Sequence, residues 1–299
     1  MLEIKNVSKS FDSFDAVKNA SITIEEGTIH GIIGENGAGK TTIIKCAAGI
    51  YKPDKGQVLA EGMPVFDNPK AKSIIGYVAD SNSYFGMYTI KNLIKFYAGV
   101  YKTFDKAHFD ELNKVFKLDT KKRVNQLSKG MQMRLALMLN MSIHPKILIL
   151  DEPTSGLDAI AKKAFNDMLI DIVDRERTAV LISSHHLSEM ERLCDSISLI
   201  RNGEIYYQSN MDDIKSSVVK LQVVLRNEAD FASLADVMSV DRVGSIYYLI
   251  VKDYSTELRA RLEKMGAEII EEVGMSLEEI FIYSTKAQET LNLPKAENA

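Results

Sequence analysis

A glycine-rich stretch between two apolar segments carries the residue types of a phosphate-binding loop. Residues 34–41 read GENGAGKT and fit the pattern G-x-x-x-x-G-K-[ST], directly after the apolar run IHGII. In such a loop the backbone amides and a helix N-terminus converge on one anion, because glycine leaves room for the close approach of phosphate. We expect Lys40 to reach the β- and γ-phosphates and Thr41 to place its hydroxyl on Mg²⁺.

A pair of acidic residues supplies what a nucleotide hydrolase needs besides that loop. Asp151 and Glu152 follow the apolar run ILIL at residues 147–150, at the carboxyl end of a predicted strand, where ligands bind in open α/β sheets. Asp151 can hold Mg²⁺ through water, and Glu152 can polarise the attacking water. The two acids could instead be solvated residues at the start of a helix. The phosphate loop favours the hydrolase interpretation.

The elements that must position these residues alternate along the first two thirds of the chain. Short, near-continuous apolar runs are typical of strands buried on both faces of a parallel sheet, and they predict strands at residues 22–25, 29–33, 74–78, 147–150, 179–183 and 196–200. An i, i+3, i+4, i+7 spacing predicts a helix over 89–101. A methionine-rich stripe over 131–139 predicts core packing. We expect a turn at 51–57 and an Asn-Gly hairpin at 201–208.

The character of the sequence changes after about residue 209. Apolar runs at 220–226, 245–251 and 267–272 alternate with helical stretches near 228–237 and 255–265. This order predicts a large domain over 1–210, a small accessory or regulatory α+β domain over 211–286, and a polar tail over 287–299.

Composition restricts the classes of partner. The chain has 37 basic and 41 acidic residues, a formal charge of −4 and a pI near 5.8, whereas nucleic-acid-binding domains are usually strongly basic, so we expect no nucleic-acid partner. Cys46 and Cys194 lack metal-ligand spacing and indicate a reducing compartment. We see neither a signal peptide nor an apolar run of membrane-spanning length. Any membrane role must come through a partner.

Four motifs together resemble the ATP-binding-cassette ATPases. The phosphate loop is followed, in the family's order and spacing, by LSKGMQMRL at 127–135, LILDEPTSGLD at 148–158 and LISSHHLSEME at 181–191. The sequence is most similar to the nucleotide-binding subunits of prokaryotic drug and antibiotic exporters, the ABC-2-like branch. The resemblance implies an α/β P-loop cassette with a mixed, mainly parallel sheet, an antiparallel β part near the N-terminus, a helical subdomain at about 85–145 and the small C-terminal domain.

The same resemblance implies an ATP and Mg²⁺ site with catalytic roles for Lys40, Glu152 and His185, the last matching the family's switch histidine. Phe11 would stack on adenine and Val17 would pack against the other edge of the ring, although Phe11 could instead be an ordinary core residue. The expected phosphate contacts are Gly34, Asn36, Gly37, Ala38, Gly39, Lys40, Thr41 and Thr42.

The family pairs two subunits head to tail, so the resemblance implies a homo- or heterodimer. Ser128 and Gly130 would contact the γ-phosphate held by the partner, and Asp158 would cross the interface. Lys129 departs from the usual signature LSGGQ; it could add charge toward the phosphates, but we expect it to be solvated.

A second departure concerns Asp80, which stands where the family usually has glutamine. Its carboxylate could bind Mg²⁺ or a metal-bound water, but an ionised carboxylate cannot donate a hydrogen bond, so water positioning there is open. The following residues, 81–87, would form the family's groove for a transmembrane partner. Tyr84, Phe85 and Met87 have the bias of an interface but could equally be internal.

These observations lead to one main functional hypothesis and two alternatives. The main one is the ATP-hydrolysing subunit of an exporter, in the cytoplasm on the inner face of the membrane, coupling closure of the ATP-bound dimer to separate permease subunits. The first alternative is a soluble cassette protein that acts as a switch on DNA or the ribosome. The second, prompted by Asp80, is a nucleotide sensor with little hydrolysis.

Overall fold

The computed structural model describes residues 1–81, 86–225, 230, 231, 234, 236–252 and 254–283 of the 299-residue chain. Tyr84 and Phe85, the polar tail and half of the predicted helical stretch 228–237 lie outside the described residues. The chain divides into two compact units, Met1–Gln208 and Ser209–Ala299. Each unit is described by itself.

The first unit contains ten strands and seven α-helices in its described part. The strands are β1 Leu2–Phe11, β2 Phe14–Ile24, β3 Ile29–Ile33, β4 Lys55–Ala60, β5 Met63–Pro64, β6 Ile75–Val78, β7 Ile147–Asp151, β8 Ala179–Ser184, β9 Ser196–Arg201 and β10 Glu204–Asn210, whose end passes the unit boundary. The helices are α1 Lys40–Ala47, α2 Pro69–Lys72, α3 Ile90–Val100, α4 Lys106–Phe116, α5 Lys129–Met141, α6 Ala159–Glu176 and α7 Leu187–Met190. A short 3₁₀ helix spans Val124–Gln126.

The central sheet is the scaffold of this unit. Its 6 strands run in the order β10-β9-β3-β8-β7-β6, and β3 pairs parallel with β8 and β9, as β7 does with β6 and β8. Every residue of β3, β7 and β8 is buried, which explains their near-continuous apolar sequences. Because β3, β7 and β8 are parallel, the phosphate loop, Asp151 and His185 all follow strands at one edge of the sheet.

A second, antiparallel sheet forms the N-terminal part, with the order β2-β1-β4-β5. Buried side chains of this sheet, of α1 and of the central sheet form one hydrophobic cluster, which includes Leu2, Ile22, Ile43 and Ile149. The bounds of two predicted elements differ from the structure: the strand was predicted too short and the turn too long. The run at 22–25 is only the end of β2, and β4 already begins at Lys55, so the turn is shorter than predicted.

The helices between β6 and β7 begin at capped positions. The side chains of Thr89, Asp105 and Ser128 accept hydrogen bonds from backbone amides in the first turns of α3, α4 and α5, which satisfies donors that a helix start leaves free. The helix predicted over 89–101 is confirmed as α3. Of the methionine-rich stripe, Leu135, Met138 and Leu139 are buried in α5, whereas Met131 is only partly buried.

The second unit is α+β. It contains α8 Met211–Ser217, β11 Val218–Leu225, β12 Val237–Val243, β13 Ile246–Lys252, α9 Thr256–Lys264 and β14 Ala267–Val273, and residues 277–283 are helical. Its 4 strands form an antiparallel sheet in the order β12-β13-β11-β14. Leu258 and Leu262 of α9 pack with Leu221 and Leu249 in its core.

The predicted α/β class with a mixed, mainly parallel sheet is confirmed.

Among the described residues we find no helix that combines the length and the apolar character required to span a bilayer.

Candidate functional site

A cleft of about 530 Å³ opens where the phosphate loop, the ends of β7 and β8 and the β1–β2 hairpin come together. Its lining includes most of the residues singled out from the sequence. The residues that line it are Phe11, Phe14, Ala16, Glu35, Asn36, Gly37, Gly39, Lys40, Thr41, Thr42, Asp80, Lys129, Glu152, Ser155 and His185. The hairpin thus contributes aromatic rings, and the loop contributes a helix N-terminus.

The phosphate loop owes its conformation to glycine at the start of α1. Gly39 has φ 112° and is the N-cap of the helix, with no side chain over the amides of the first turn. A Cβ on Gly39 would lie 2.5 Å from the Ala16 carbonyl oxygen, so no other residue fits there without displacing the backbone. The free amides of the first turn and the helix dipole favour an anion at this position.

Lys40 is buried at the base of the loop. Its ammonium donates to the carbonyl oxygens of Gly34 at 2.6 Å and Glu35 at 3.2 Å, and it lies 3.5 Å from Glu152 Oε1. A positive charge with one carboxylate in reach and open cleft beside it is suited to attract the negative oxygens of a phosphate chain.

Asp151 ends β7 and is buried. Its Oδ1 accepts hydrogen bonds from Ser183 Oγ at 2.7 Å and Thr41 Oγ1 at 3.3 Å. Burial raises the pKa of the carboxyl, and the hydrogen bonds from Ser183 and Thr41 oppose that shift. The hydroxyl of Thr41 and the carboxylate of Asp151 fit a Mg²⁺ site, because Mg²⁺ takes one or two protein oxygens and completes its shell with water and phosphate.

Glu152 and His185 are in direct contact. Glu152 has φ 49°, and its backbone amide donates to Ser183 Oγ at 3.1 Å. Glu152 Oε2 lies 2.9 Å from His185 Nδ1, so one carboxylate links Lys40 and His185 through its two oxygens. The centroid of the His186 ring lies 3.9 Å from that of His185. His186 is not among the residues that line the cleft.

The hairpin places Phe11 in the cleft with 40% of its surface exposed, so it is not an ordinary core residue. Val17 differs from the expectation. It is 1% exposed, and its side chain packs in the core cluster. Because neighbouring residues of a strand face opposite sides, Ala16 lines the cleft instead.

Asp80 and Lys129, the two departures from the family pattern, form an ion pair. Lys129 Nζ lies 3.1 Å from Asp80 Oδ1, with both side chains about half exposed. Lys129 is therefore exposed, as expected from the sequence, and it is also paired with Asp80. The pair joins the end of β6 to the N-terminus of α5.

The remaining predicted site residues lie outside the cleft. Ser128 Oγ caps α5, and a Cβ on Gly130 would lie 2.6 Å from the Gly156 carbonyl oxygen. Asp158 accepts from the Ala161 amide at 2.8 Å and from Arg134 at 2.6 Å, and these contacts lower the pKa of its carboxyl. Gly34 and Ala38 belong to the loop without lining the cleft.

Comparison with known proteins gives consistent results. The family model "ABC transporter" matches residues 17–155. The ABC transporter ATP-binding protein YtrB of Bacillus subtilis is 30% identical over 283 residues, covering 94% of this chain and 97% of that protein. The chain belongs to the ATP-binding proteins of ABC transporters. It is an ATP-binding subunit of such a transporter and an ATPase, as the motifs predict.

Other members of the family agree with this assignment. The bacitracin transport ATP-binding protein BcrA of Bacillus licheniformis is 32% identical, covering 72% of this chain and 71% of that protein. Among solved structures, the ATP-binding subunit of an ABC transporter has a TM-score of 0.67 at 25% identity, covering 72% of this chain and 92% of that chain. A dimeric cassette bound to ADP and phosphate shares the fold, with a TM-score of 0.64 at 23% identity over 71% of this chain and 99% of that chain.

Some residues at the site of this ABC protein were not identified from its sequence motifs. Phe14, Glu35 and Ser155 line the cleft, and Ser183 Oγ donates to the Asp151 carboxylate and accepts from the Glu152 backbone amide. Glu35 lies inside the phosphate-loop motif, and Ser155 follows the acidic pair by a few residues, so both could have been noticed from their positions. Phe14 has no motif, and its place follows only from the pairing of β1 with β2.

Proposed function

We propose that this chain is the ATP-hydrolysing subunit of an exporter, in which a dimer closes on ATP and passes the movement to separate permease subunits. Relatives with transport names, such as the bacitracin transport protein, support export over the alternative action on DNA or the ribosome. The chain would then act at the inner face of the membrane through those permease subunits. The unit after residue 208 would be an accessory or regulatory domain.

In this proposal each residue of the site has a separate role. The loop amides and Lys40 bind the phosphates, and Phe11 stacks on adenine. Thr41 and Asp151 hold Mg²⁺, with Asp80 within reach of the same cleft. The ion, when bound, neutralises charge that develops on the phosphate oxygens.

Glu152 would orient the attacking water and accept its proton. The observation that carries the proposal is its contact with His185 at 2.9 Å beside the phosphate-loop lysine. The His185 ring can donate its Nδ1–H to the Glu152 carboxylate, so it can hold that carboxylate in place and respond when the γ-phosphate leaves. Ser128 and Gly130 would complete the site of a partner subunit, and Asp158 would lie at the interface.

A Glu152→Gln variant tests this role. The amide keeps the size of the side chain but cannot accept a proton, so we expect ATP to bind as before and steady-state turnover to fall by about 10²- to 10⁴-fold. ATP binding is measured by calorimetry and turnover by phosphate release.

The matched control is Glu176→Gln, which removes a carboxylate that contacts His144 instead of the cleft. It should retain wild-type turnover. Turnover of Glu152→Gln close to that of wild type would contradict the role of Glu152.

A further inference from the structure

Two aromatic rings stand side by side at the tip of the β1–β2 hairpin. Phe11 ends β1 and Phe14 begins β2, and the two residues are direct partners in the antiparallel register. Side chains of directly opposed residues project from the same face of a strand pair. Both rings line the cleft, so the hairpin offers it two aromatic surfaces.

The two rings differ in how they are held. Tyr51 packs edge-on against Phe11 with centroids 5.3 Å apart, and Lys9 lies 5.4 Å from the Phe11 centroid. Phe14 is 61% exposed, and within the described part of the chain we find no ring stacked on it. The Phe11 ring is therefore held by its neighbours, whereas Phe14 presents an uncovered ring to the cleft.

The hairpin is held at a fixed distance from the phosphate loop. The backbone amide of Lys18 donates to Gly203 O at 2.8 Å, and the amide of Gly203 donates to Ala38 O at 2.9 Å. The carbonyl of Ala16 also packs closely on Gly39. The turn between β9 and β10 thus ties β2 to the loop, and a nucleotide whose phosphates occupy the loop meets the hairpin with its base.

We propose that Phe14 is a second base-binding residue, which stacks on the base together with Phe11. This inference rests on the proposed placement of the phosphates at the loop. A stacking contact is worth about 1–3 kcal/mol per base, so removal of the Phe14 ring should weaken ATP binding by roughly 5- to 150-fold.

The hairpin also determines which bases the site accepts. Its lining residues are Phe11, Phe14 and Ala16, whose side chains neither donate nor accept hydrogen bonds. Stacking is tolerant of base identity because every base has a π-face, whereas strong discrimination requires polar groups that a wrong ligand leaves unpaired. The hairpin therefore discriminates only weakly between bases, and GTP should bind within about tenfold of ATP.

The absence of tryptophan from the sequence makes a direct test possible with the full-length protein. Phe14→Trp introduces a single indole at the hairpin tip, and its emission is followed while a non-hydrolysable ATP analogue, the matching GTP analogue or inorganic tripolyphosphate is added with Mg²⁺. We expect both nucleotides to change the emission and tripolyphosphate to leave it unchanged. The matched control is Phe66→Trp, at a residue that is 42% exposed and outside the cleft, and no ligand should affect it.

Calorimetry on wild type and Phe14→Ala separates this inference from the function on which it rests. We expect Phe14→Ala to lose affinity for the ATP analogue but to keep its affinity for tripolyphosphate, which has no base. Suppose that wild type binds the ATP analogue. Unchanged emission of Phe14→Trp, or an unchanged affinity of Phe14→Ala for the analogue, would then overturn the role of Phe14 alone. GTP binding more than about tenfold weaker than ATP would overturn recognition of the base by stacking alone. Failure of wild type to bind ATP would instead overturn the proposed function.

Discussion

His30 shows how burial changes the chemistry of a single residue. It lies in β3 with 2% exposure, and its ring nitrogens lie 2.7 Å from Ser196 Oγ and 2.8 Å from Ser198 Oγ of β9. Desolvation lowers its pKa from 6.5 to about 4. The neutral ring, with one donor and one acceptor nitrogen, suits two hydroxyl partners. His30 therefore joins two strands of the scaffold and takes no part in the nucleotide site.

The depressed pKa of His30 predicts a pH dependence of stability. Between pH 6.5 and pH 4 the unfolded chain binds a proton that the folded chain excludes, so stability is complete above pH 6.5 and falls as the pH decreases toward 4. The loss is on the order of 3 kcal/mol. In His30→Gln, whose amide can bond both serines but does not titrate, this component should disappear.

The measurement is the free energy of unfolding in urea at intervals between pH 4 and pH 7.5. Other acidic groups titrate in the same range, so the informative quantity is the difference between wild type and His30→Gln at each pH. A difference that is constant across the range would show that His30 does not carry the proton.

Sequence reasoning located residues that belong to local motifs and was weakest where the position of a side chain depends on tertiary packing. Lys40, Thr41 and the Asp151–Glu152 pair could be found because a phosphate loop and a strand end are local patterns. Phe14 could not, because its place in the cleft comes from the register of two strands. Val17 was misplaced for a related reason: which of two neighbouring residues faces the cleft depends on what packs behind the strand.

At the scale of elements, α5 and the loop after β7 are in close backbone contact. Gly130 lies in the first turn of α5, and the carbonyl oxygen of Gly156 occupies the space where a Cβ would stand. Arg134 adds an ion pair with Asp158 in the same loop. A movement of α5 should therefore move the loop that follows Asp151 and Glu152.

Gly130→Ala tests this contact. The added methyl group would lie 2.6 Å from backbone oxygen, so the helix and loop must separate, at a cost of about 1–3 kcal/mol. We expect a lower melting temperature together with reduced ATP turnover. Thermal unfolding and phosphate release are measured on the same preparation.

Gly99 is the matched control because it also lies in a helix, α3. A methyl group there would meet open space: outside the helix itself, no atom of the described residues lies within 4 Å of the position that its carbon would take. Gly99→Ala should stabilise the protein by about 1 kcal/mol through helix propensity and leave turnover unchanged. Equal effects of the two substitutions would mean that the contact with Gly156 has no special importance.

For the whole molecule, the proposed head-to-tail dimer would mean that one chain holds halves of two different sites. Residues of the phosphate loop and Glu152 line one cleft, whereas Ser128 and Gly130 lie outside it, at a capped helix N-terminus suited to an anion. If a partner's phosphates occupy that position, neither chain alone has a complete site. The two halves should then be separable by mutation.

Mixing two inactive variants tests this arrangement. Lys40→Ala removes the loop ammonium and Ser128→Arg blocks the capped helix start, so each variant alone should form a dimer without an intact site. In an equal mixture, half of the dimers carry both variants, and each of these has one intact site, so turnover should recover to about a quarter of wild type. Melting curves of each variant establish that it is folded, since loss of the cap costs only about 1 kcal/mol. A mixture as inactive as its components would mean that the loop and Ser128 serve the same site within one chain.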